Sequence, residues 1–294
     1  MDGVIVLNKP VGRTSHYYVN FVRKLFNIKK VGHTGTLDPD ASGVLPICIG
    51  RATKAADMLT ASDKAYRAQL VFGMTTDTQD ASGEVLTEQP ACVKYSDFEK
   101  IIEKFIGEIE QIPPMFSAIK KDGKKLYELA REGISIEREK RKVRIDKIEL
   151  LEFDQKRGTA KIDVECSKGT YIRTLCEDIG MDLGCGAYMN SLVRTKSGMF
   201  KIEDSYTTAQ IEDAVKNGEL EKMITPVSEL FAGYPKVYLN DKKSELVKNG
   251  VRIKYSGLDE GQCYRLFDQA GKFLSVSRFT DNSLVLEKAF WNDK

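Results

Sequence analysis

Residues 32–43 read GHTGTLDPDASG and continue directly into the apolar segment VLPICIG at residues 44–50. Three glycines and a proline within twelve residues exclude a regular helix or a central strand, so a shaped loop is predicted. The loop carries one of the chain's two histidines, two carboxylates and three hydroxyl groups. We therefore predict a loop rich in chemical groups that leads into a buried strand.

From the residues alone, two ordinary interpretations of this loop stay open. Asp before Pro starts turns, and Gly, Ser and Thr fill them, so the loop can be purely structural. Asp38 and Asp40 also form an Asp-x-Asp pair like that of aspartate-nucleophile phosphatases. Those enzymes place the pair directly after an apolar strand, however, whereas His-Thr-Gly-Thr precedes it here.

The length and composition of the chain indicate an ordinary globular protein. Its 294 residues suffice for one large domain and a smaller one, and 41% of them are hydrophobic and 30% charged. No segment approaches the roughly 18 apolar residues of a membrane span, and the first residues lack the basic and apolar regions of a signal peptide. We expect a cytoplasmic protein without membrane association.

The cysteines and histidines do not suggest a metal site. The six cysteines include no Cys-x-x-Cys pair, and His16 and His33 do not stand near them in a ligand-like spacing. The sequence therefore predicts neither a zinc site nor a disulfide framework, and we expect no bound metal.

Positive charge is concentrated in three parts of a chain whose net charge is only +2. Residues 120–147 hold 11 basic and 6 acidic residues. Proline, aromatic and basic residues are interleaved around them, which suits an arm that contacts RNA. An exposed hairpin without a partner is the alternative. The candidate phosphate contacts are Lys120, Lys121, Lys124 and Lys125.

Hydrophobic periodicity places the remaining segments on strands and helices. Residues 3–10 and 160–166 are predicted strands, residues 66–72 alternate as a half-buried strand, and residues 75–83 are a predicted polar loop. A helix is predicted to begin near Thr170, with Arg173 in its first turn. A cation is unfavourable at that end of a helix dipole, so we expect Arg173 to pair with a carboxylate or phosphate.

The string GHTGTLDPDASGVLPICIGRATK at residues 32–54 resembles the signature of the bacterial tRNA pseudouridine synthases of the TruB type, which act on uridine 55 of the T arm. The resemblance covers nearly all of the first 230 residues. It includes DKAYR at 63–67, residues 112–125, CSKGTYIRT at 166–174 and GCGA at 184–187.

The resemblance implies an α+β fold, with a mixed, mainly antiparallel bent sheet flanked by helices. Residues 1–230 then form the catalytic domain, with an RNA-clasping thumb at about 113–142. Beyond a boundary near residues 225–235, short strand-like pieces separated by Gly, Asp and Asn indicate a small β-rich module at 234–294. That module resembles the PUA-like RNA-binding domain of the family.

The resemblance also implies the roles of individual residues. Asp38 corresponds to the catalytic aspartate, and His33 to the residue that fills the space left by the flipped base. Tyr66 corresponds to the tyrosine that stacks on the uracil. Tyr171, Arg173 and Leu192 correspond to residues that line the pocket.

The implied reaction is an isomerisation of uridine that requires no cofactor, with tRNA as the partner and the enzyme acting as a monomer. The chain has no phosphate-binding Gly-Lys-Ser/Thr loop and no dinucleotide fingerprint. The sequence does not choose between attack by Asp38 at C1′ and at C6 of the nucleotide. The alternative functions are a non-catalytic RNA-binding or tRNA chaperone module and a magnesium-dependent phosphohydrolase.

Overall fold

The computed structural model describes residues 1–121 and 123–291 of the chain. The helices are α1 (Ser15–Leu25), α2 (Ala56–Thr60), α3 (Tyr95–Glu103), α4 (Leu126–Arg131), α5 (Ile172–Asp182), α6 (Thr208–Lys216) and α7 (Asp241–Lys248). The strands are β1 (Gly3–Lys9), β2 (Val31–His33), β3 (Ala41–Ile49), β4 (Lys64–Phe72), β5 (Met74–Thr76), β6 (Val85–Glu88), β7 (Gly107–Gln111), β8 (Lys120–Lys121), β9 (Lys124–Lys125), β10 (Arg141–Asp154), β11 (Thr159–Cys166), β12 (Ala187–Ser197), β13 (Phe200–Lys201), β14 (Thr225–Pro226), β15 (Lys236–Tyr238), β16 (Ile253–Lys254), β17 (Cys263–Phe267), β18 (Phe273–Thr280) and β19 (Ser283–Ala289).

Local sequence accounts for several of these elements. Thr14 caps α1 by accepting a hydrogen bond from the Tyr17 amide, and Thr207 and Gln210 form a capping box at the start of α6. In β4, Ala68 and Leu70 are buried on alternate positions, which is the pattern of a strand with one face on a core.

One mixed sheet forms the centre of the molecule, in the order β14-β1-β3-β12-β4-β11-β10-β7, with β2 added to β3 and β13 to β12. β3 and β12 run parallel, whereas the other pairs in this sheet are antiparallel. The predicted α+β class with a mixed, mainly antiparallel sheet is confirmed. The loop predicted at 32–43 is irregular only at residues 34–40, since β2 ends at His33 and β3 begins at Ala41. The parallel pair joins the start of β3 to the middle of β12, because Ala41 lies opposite Leu192.

The two faces of the central sheet contact different partners. On one face, Ile5 and Leu7 belong to the core formed with α1, α3 and α5. On the other, Val4 and Val6 pack with Phe290 and other apolar residues of the C-terminal part of the chain. That part forms a second sheet in the order β15-β17-β18-β19-β16, with its own core.

The polar segment at residues 75–83 differs in part from its prediction as a loop. Its first residues belong to β5, which pairs with β6 in a short hairpin. The amide of Ala81 donates to the Met189 carbonyl, and the Met189 amide donates to the Gln79 carbonyl, both at 3.0 Å. The segment is therefore bound to the central strand β12.

Within the described residues, no helix combines the length and the apolar character needed to cross a membrane.

Helix α5 packs closely on β12 at Gly180, and this contact generates a prediction. A Cβ atom at position 180 would lie 2.2 Å from the Ala187 amide nitrogen. Alanine is ordinarily the better helix former. Overpacking of this kind nevertheless lowers the free energy of unfolding by about 1–3 kcal/mol. We expect Gly180→Ala to lower the urea concentration at the midpoint of unfolding. Circular dichroism measures this midpoint.

Gly233→Ala is the matched control, because a Cβ atom there would meet nothing within 4 Å. It should leave the midpoint unchanged. A Gly180→Ala protein as stable as the original would contradict the close packing of α5 on β12.

Candidate functional site: an aspartate loop with a buried arginine

The loop between β2 and β3 turns several backbone carbonyls toward buried donors. The Ser15 hydroxyl donates to the Leu37 carbonyl at 2.9 Å and accepts from the Leu37 amide at 2.8 Å. The Gly12 amide donates to the Pro39 carbonyl at 2.8 Å. The residues around the start of α1 therefore fix the centre of the loop.

Lys9, the last residue of β1, fixes the end of the loop. Its side chain is buried, and Nζ donates to the carbonyls of Pro10 and Pro39 at 3.0 Å each and of Ala41 at 2.6 Å. Burial lowers the pKa of Lys9 to about 8. An ammonium group has three donors, so all three are used on backbone oxygens.

Arg194 on β12 fixes the beginning of the loop. The residue is 1% exposed. Its Nε donates to the Val44 carbonyl at 2.7 Å, and its two terminal nitrogens donate to the carbonyls of Gly35 at 3.1 Å and Thr36 at 3.4 Å. Arg194 lies opposite Tyr66 in the pairing of β12 with β4. One planar group on β12 therefore connects the loop and β3.

Asp38 extends from this loop to an ion pair with Arg173. Their Oδ2 and Nη2 atoms are 3.0 Å apart, and the Asp38 side chain is 48% exposed whereas that of Arg173 is 7% exposed. The guanidinium also lies 3.4 Å from Asp80 Oδ2 and donates to the carbonyls of Thr78 at 3.2 Å and Phe116 at 2.9 Å. Arg173 therefore has the acidic partner that its position predicts, and it presents Asp38 at an open surface.

The first turn of α5 is positioned by Gln111 at the end of β7. The Gln111 side chain is buried, accepts from the Tyr171 amide at 3.0 Å and donates to the Tyr171 carbonyl at 3.2 Å. Arg173 follows within the same turn, where its charge opposes the helix dipole. The pairs with Asp38 and Asp80 offset that unfavourable position.

The charge of Asp38 adds a small upward effect to the pKa of both predicted pocket tyrosines, Tyr66 and Tyr171. Tyr66 on β4 is half-buried and lies opposite Arg194 on β12. Burial raises the pKa of Tyr66, and the positive charge of Arg194 opposes the rise. Burial also raises the pKa of Tyr171, and the charges of Arg141 and Arg173 oppose the rise.

Leu192 and His33 lie on strands at the two ends of the loop. Leu192 is buried on β12, opposite Ala41 of β3 and Ala68 of β4. His33 ends β2 opposite Ile47. Its Nδ1 atom is buried and has no hydrogen-bond partner within the described residues. Burial lowers the pKa of His33, and the charge of Arg194 adds to this effect.

The four candidate lysines lie on the hairpin β8–β9. Lys120 is paired with Lys125, and Lys121 with Lys124. Like charges directly opposite each other destabilise a strand pair. Lys124 also lies 3.6 Å from the Glu132 carboxylate. The hairpin therefore presents concentrated positive charge beside the segment that contains Phe116, a partner of Arg173.

The charged residues Lys9, Asp80 and Arg194 contact the site but were not identified from the sequence. Asp80 lies in the segment predicted as a polar loop, and nothing local distinguishes it from Asp77. Lys9 looked like the polar end of a strand, and Arg194 like an ordinary strand residue. Within residues 1–121 and 123–291, no group of three or more His, Cys, Asp or Glu side chains is arranged to hold a metal ion.

The chain matches two family sequence models in succession. The model of the TruB family pseudouridylate synthase N-terminal domain matches residues 23–172. The model of the tRNA pseudouridylate synthase B C-terminal domain matches residues 173–232. Together they cover both partners of the Asp38–Arg173 ion pair.

Similar proteins span nearly the whole chain. The tRNA pseudouridine synthase B of Geobacillus kaustophilus is 44% identical, over 92% of this chain and 98% of that protein. The Clostridium kluyveri protein of the same name is 43% identical, over 99% of this chain and 100% of that protein.

Solved structures show the same fold. The structure of a Cbf5–Nop10–Gar1 complex matches 98% of this chain and 85% of the compared chain, at a TM-score of 0.74 and 28% identity. The structure of an H/ACA ribonucleoprotein bound to a substrate RNA containing 2′-deoxyuridine matches 99% of this chain and 85% of the compared chain. Its TM-score is 0.73 and its sequence identity is 26%.

The mixed sheet carries a loop aspartate that is paired with a buried arginine. With the matches above, this fold defines a pseudouridine synthase. Such an enzyme is an isomerase. The chain belongs to the TruB family of pseudouridylate synthases. The family resemblance of the loop sequence is thereby confirmed.

The environment of His33 predicts how it titrates. An unfolded histidine has a pKa of about 6.5, and burial lowers that of His33 in the folded chain. Below pH 6.5 the unfolded chain therefore binds a proton that native His33 does not bind. This residue should reduce folding stability as the pH falls from 6.5 toward its native pKa.

The chain has two histidines, so two imidazole signals are expected in a proton–carbon NMR titration. The signal that remains in His16→Gln belongs to His33 and should titrate below pH 6.5. A midpoint at or above 6.5 would contradict the buried, unpartnered environment.

Proposed function

We propose that this protein converts uridine to pseudouridine at position 55, in the T arm of tRNA, and that Asp38 is its catalytic carboxylate. The observation that carries the proposal is the half-exposed Asp38 side chain, 3.0 Å from the buried Arg173 guanidinium. Relatives of 43–44% identity are named tRNA pseudouridine synthase B. A protein of similar fold has been solved with a substrate RNA that contains 2′-deoxyuridine.

The reaction breaks the N1–C1′ bond of the nucleotide, turns the uracil and rejoins it through C5. Asp38 assists either by covalent attack, at C1′ or at C6, or by easing departure of the base. Arg173 orients the Asp38 carboxylate, since Asp80 and two backbone carbonyls hold its guanidinium in place. No redox cofactor is needed, because the product is an isomer of the substrate and the reaction involves no net oxidation or reduction.

The target base must leave its stack in the RNA, at a cost of a few kcal/mol. His33 fills the space left by the base, and its lowered pKa suits an uncharged ring that replaces the stacking of the base. Tyr66 stacks on the extruded uracil, with Tyr171 and Leu192 lining the pocket. Both tyrosines lie within electrostatic reach of Asp38.

The parts outside the pocket supply RNA affinity. Residues 113–142 form a thumb whose β8–β9 hairpin contacts phosphates. Residues 1–230 form the catalytic domain, and residues 234–294 a PUA-like RNA-binding domain. We expect the enzyme to act as a monomer in the cytoplasm.

The test is incubation of the pure protein with an unmodified tRNA transcript, without added metal. Nucleosides are analysed by mass spectrometry, and the modified position is located by carbodiimide labelling and primer extension. Pseudouridine should appear at position 55 and be absent from a transcript with cytidine there. RNA binding without any product would favour the chaperone alternative.

Asp38→Asn should abolish the reaction while leaving the fold and tRNA binding intact. Asparagine lacks the anionic oxygen, but its side-chain carbonyl oxygen can still accept the hydrogen bonds of a turn. The buried Arg173 charge retains Asp80 as a partner, so no unpaired cation is created. We expect no detectable pseudouridine under single-turnover conditions with enzyme in excess, where weak binding cannot resemble a chemical defect.

Asp40→Asn is the matched control. It is another exposed aspartate of the same loop, but Arg173 pairs with Asp38. It should keep most activity. An essential Asp40 and a dispensable Asp38 would overturn the assignment, and activity in both variants would remove the carboxylate mechanism.

The thumb generates a separate prediction about affinity. Replacing Lys120, Lys121, Lys124 and Lys125 with glutamine should weaken tRNA binding and leave the rate constant at saturating enzyme unchanged. The log–log slope of binding against salt should flatten by roughly 0.7–0.9 for each phosphate that the hairpin no longer neutralises. An unchanged slope, measured by filter binding, would show that the hairpin does not contact phosphates.

A further inference from the structure

Gln79, in the turn between β5 and β6, has a strained backbone to which the proposed chemistry assigns no role. Its φ angle is 63°, a left-handed conformation that residues other than glycine adopt infrequently. Strain of this kind persists only where the surrounding structure imposes it, and it is concentrated at functional sites. The neighbours of Gln79 on either side, Thr78 and Asp80, both contact the Arg173 guanidinium. The strain therefore lies directly beside the partners of the arginine.

The left-handed turn at Gln79 brings two acceptors to one nitrogen of Arg173. Nη1 donates to the Thr78 carbonyl at 3.2 Å and lies 3.4 Å from Asp80 Oδ2. The Thr78 hydroxyl donates to Asp80 Oδ1 at 2.7 Å, which holds that carboxylate with Oδ2 toward the arginine. Because both acceptors face Nη1, the guanidinium presents Nη2 to Asp38 Oδ2, at 3.0 Å.

The side chain of Gln79 connects this turn to α5, the helix that carries Arg173. Its Oε1 accepts from the Thr174 hydroxyl at 2.8 Å, and its Nε2 donates to the Glu177 carboxylate. A carboxylate only accepts, so an amide suits a position between a hydroxyl donor and a carboxylate. The Gln79 carbonyl also accepts from the Met189 amide of β12. One residue therefore connects β12, the turn and the helix of the arginine.

We propose that Gln79 is a positioning residue for the reaction, which sets the orientation of the Arg173 guanidinium and, through it, that of the Asp38 carboxylate. This inference rests on the proposed function. The Asp38 side chain is 48% exposed, whereas that of Arg173 is buried, so the arginine restrains a carboxylate that solvent leaves free to turn. A misplacement of about 1 Å at a reacting group can slow a reaction by roughly 100-fold. Gln79 therefore acts on the rate through Arg173.

Gln79→Gly tests this role, because it keeps the turn and removes the connection to α5. Glycine adopts a positive φ without strain, and this relief offsets the two lost hydrogen bonds in the stability of the fold. We expect the single-turnover rate constant, with enzyme in excess, to fall by roughly 10- to 100-fold. The dissociation constant of the tRNA should not change. An unchanged rate constant would show that Gln79 serves only the fold and would overturn the proposal.

Asn27→Gly is the matched control for the change in the backbone. Asn27 also has a positive φ, of 52°, and it is an exposed residue just beyond the end of α1. The same substitution there relieves the same kind of strain without altering a contact of α5, so the rate constant should not change. A comparable loss of rate in this control would overturn the assignment of the effect to the Gln79 side chain.

An exchange of the two side chains tests the connection without introducing a glycine. Gln79→Glu places a second carboxylate against that of Glu177, and two ionised carboxylates cannot donate to each other. Its rate constant should fall by roughly tenfold. Combining it with Glu177→Gln restores one amide, one carboxylate and the original net charge, so the double variant should recover most of the rate.

A double variant that folds but stays as slow as Gln79→Glu would overturn the proposal. Failure of the proposed function is distinguishable from failure of this inference. In the first case the original protein would form no pseudouridine. In the second the original protein would be active, and the Gln79 variants would be equally fast.

Discussion

The structure of the site depends on one constraint: the inward-facing carbonyls of the loop between β2 and β3 must each find a donor. Buried backbone oxygens without partners are strongly unfavourable. Lys9, Ser15 and Arg194 supply those donors from β1, α1 and β12. The loop can therefore be rigid although it lacks regular secondary structure, and the orientation of Asp38 follows from three distant parts of the chain.

Much of this fold could be predicted from local sequence. Period-two alternation indicated β4 and β11, and the dipole argument indicated an acidic partner for Arg173, which the structure places at 3.0 Å. Lys9 and Arg194 could not be predicted, because buried cations are rare and their acceptors lie far along the chain. The Val44 carbonyl is 150 residues from Arg194. Asp80 could not be predicted either, because only its pairing with the distant strand β12 brings it to the site.

The C-terminal sheet also supports the site from a distance. Phe290 packs in a cluster with Val4 and Val6, on the face of β1 opposite to Ile5 and Leu7. Arg51 donates to the Phe290 carbonyl at 2.6 Å and forms an ion pair with Asp2 at 2.7 Å. The strand that ends in Lys9 is thus covered on both faces, which restricts its movement relative to the loop.

The partners of Lys9 and Arg194 in the loop, and the Phe116 partner of Arg173, are all backbone carbonyls. Every amino acid presents the same carbonyl, so the accepting positions can change side chains and still accept the bond. The donors have no such freedom, because few side chains are long enough and cationic. Tolerance to substitution around this site should therefore be one-sided: an exposed accepting position such as Thr36 should be permissive, whereas residues 9, 173 and 194 should be restrictive.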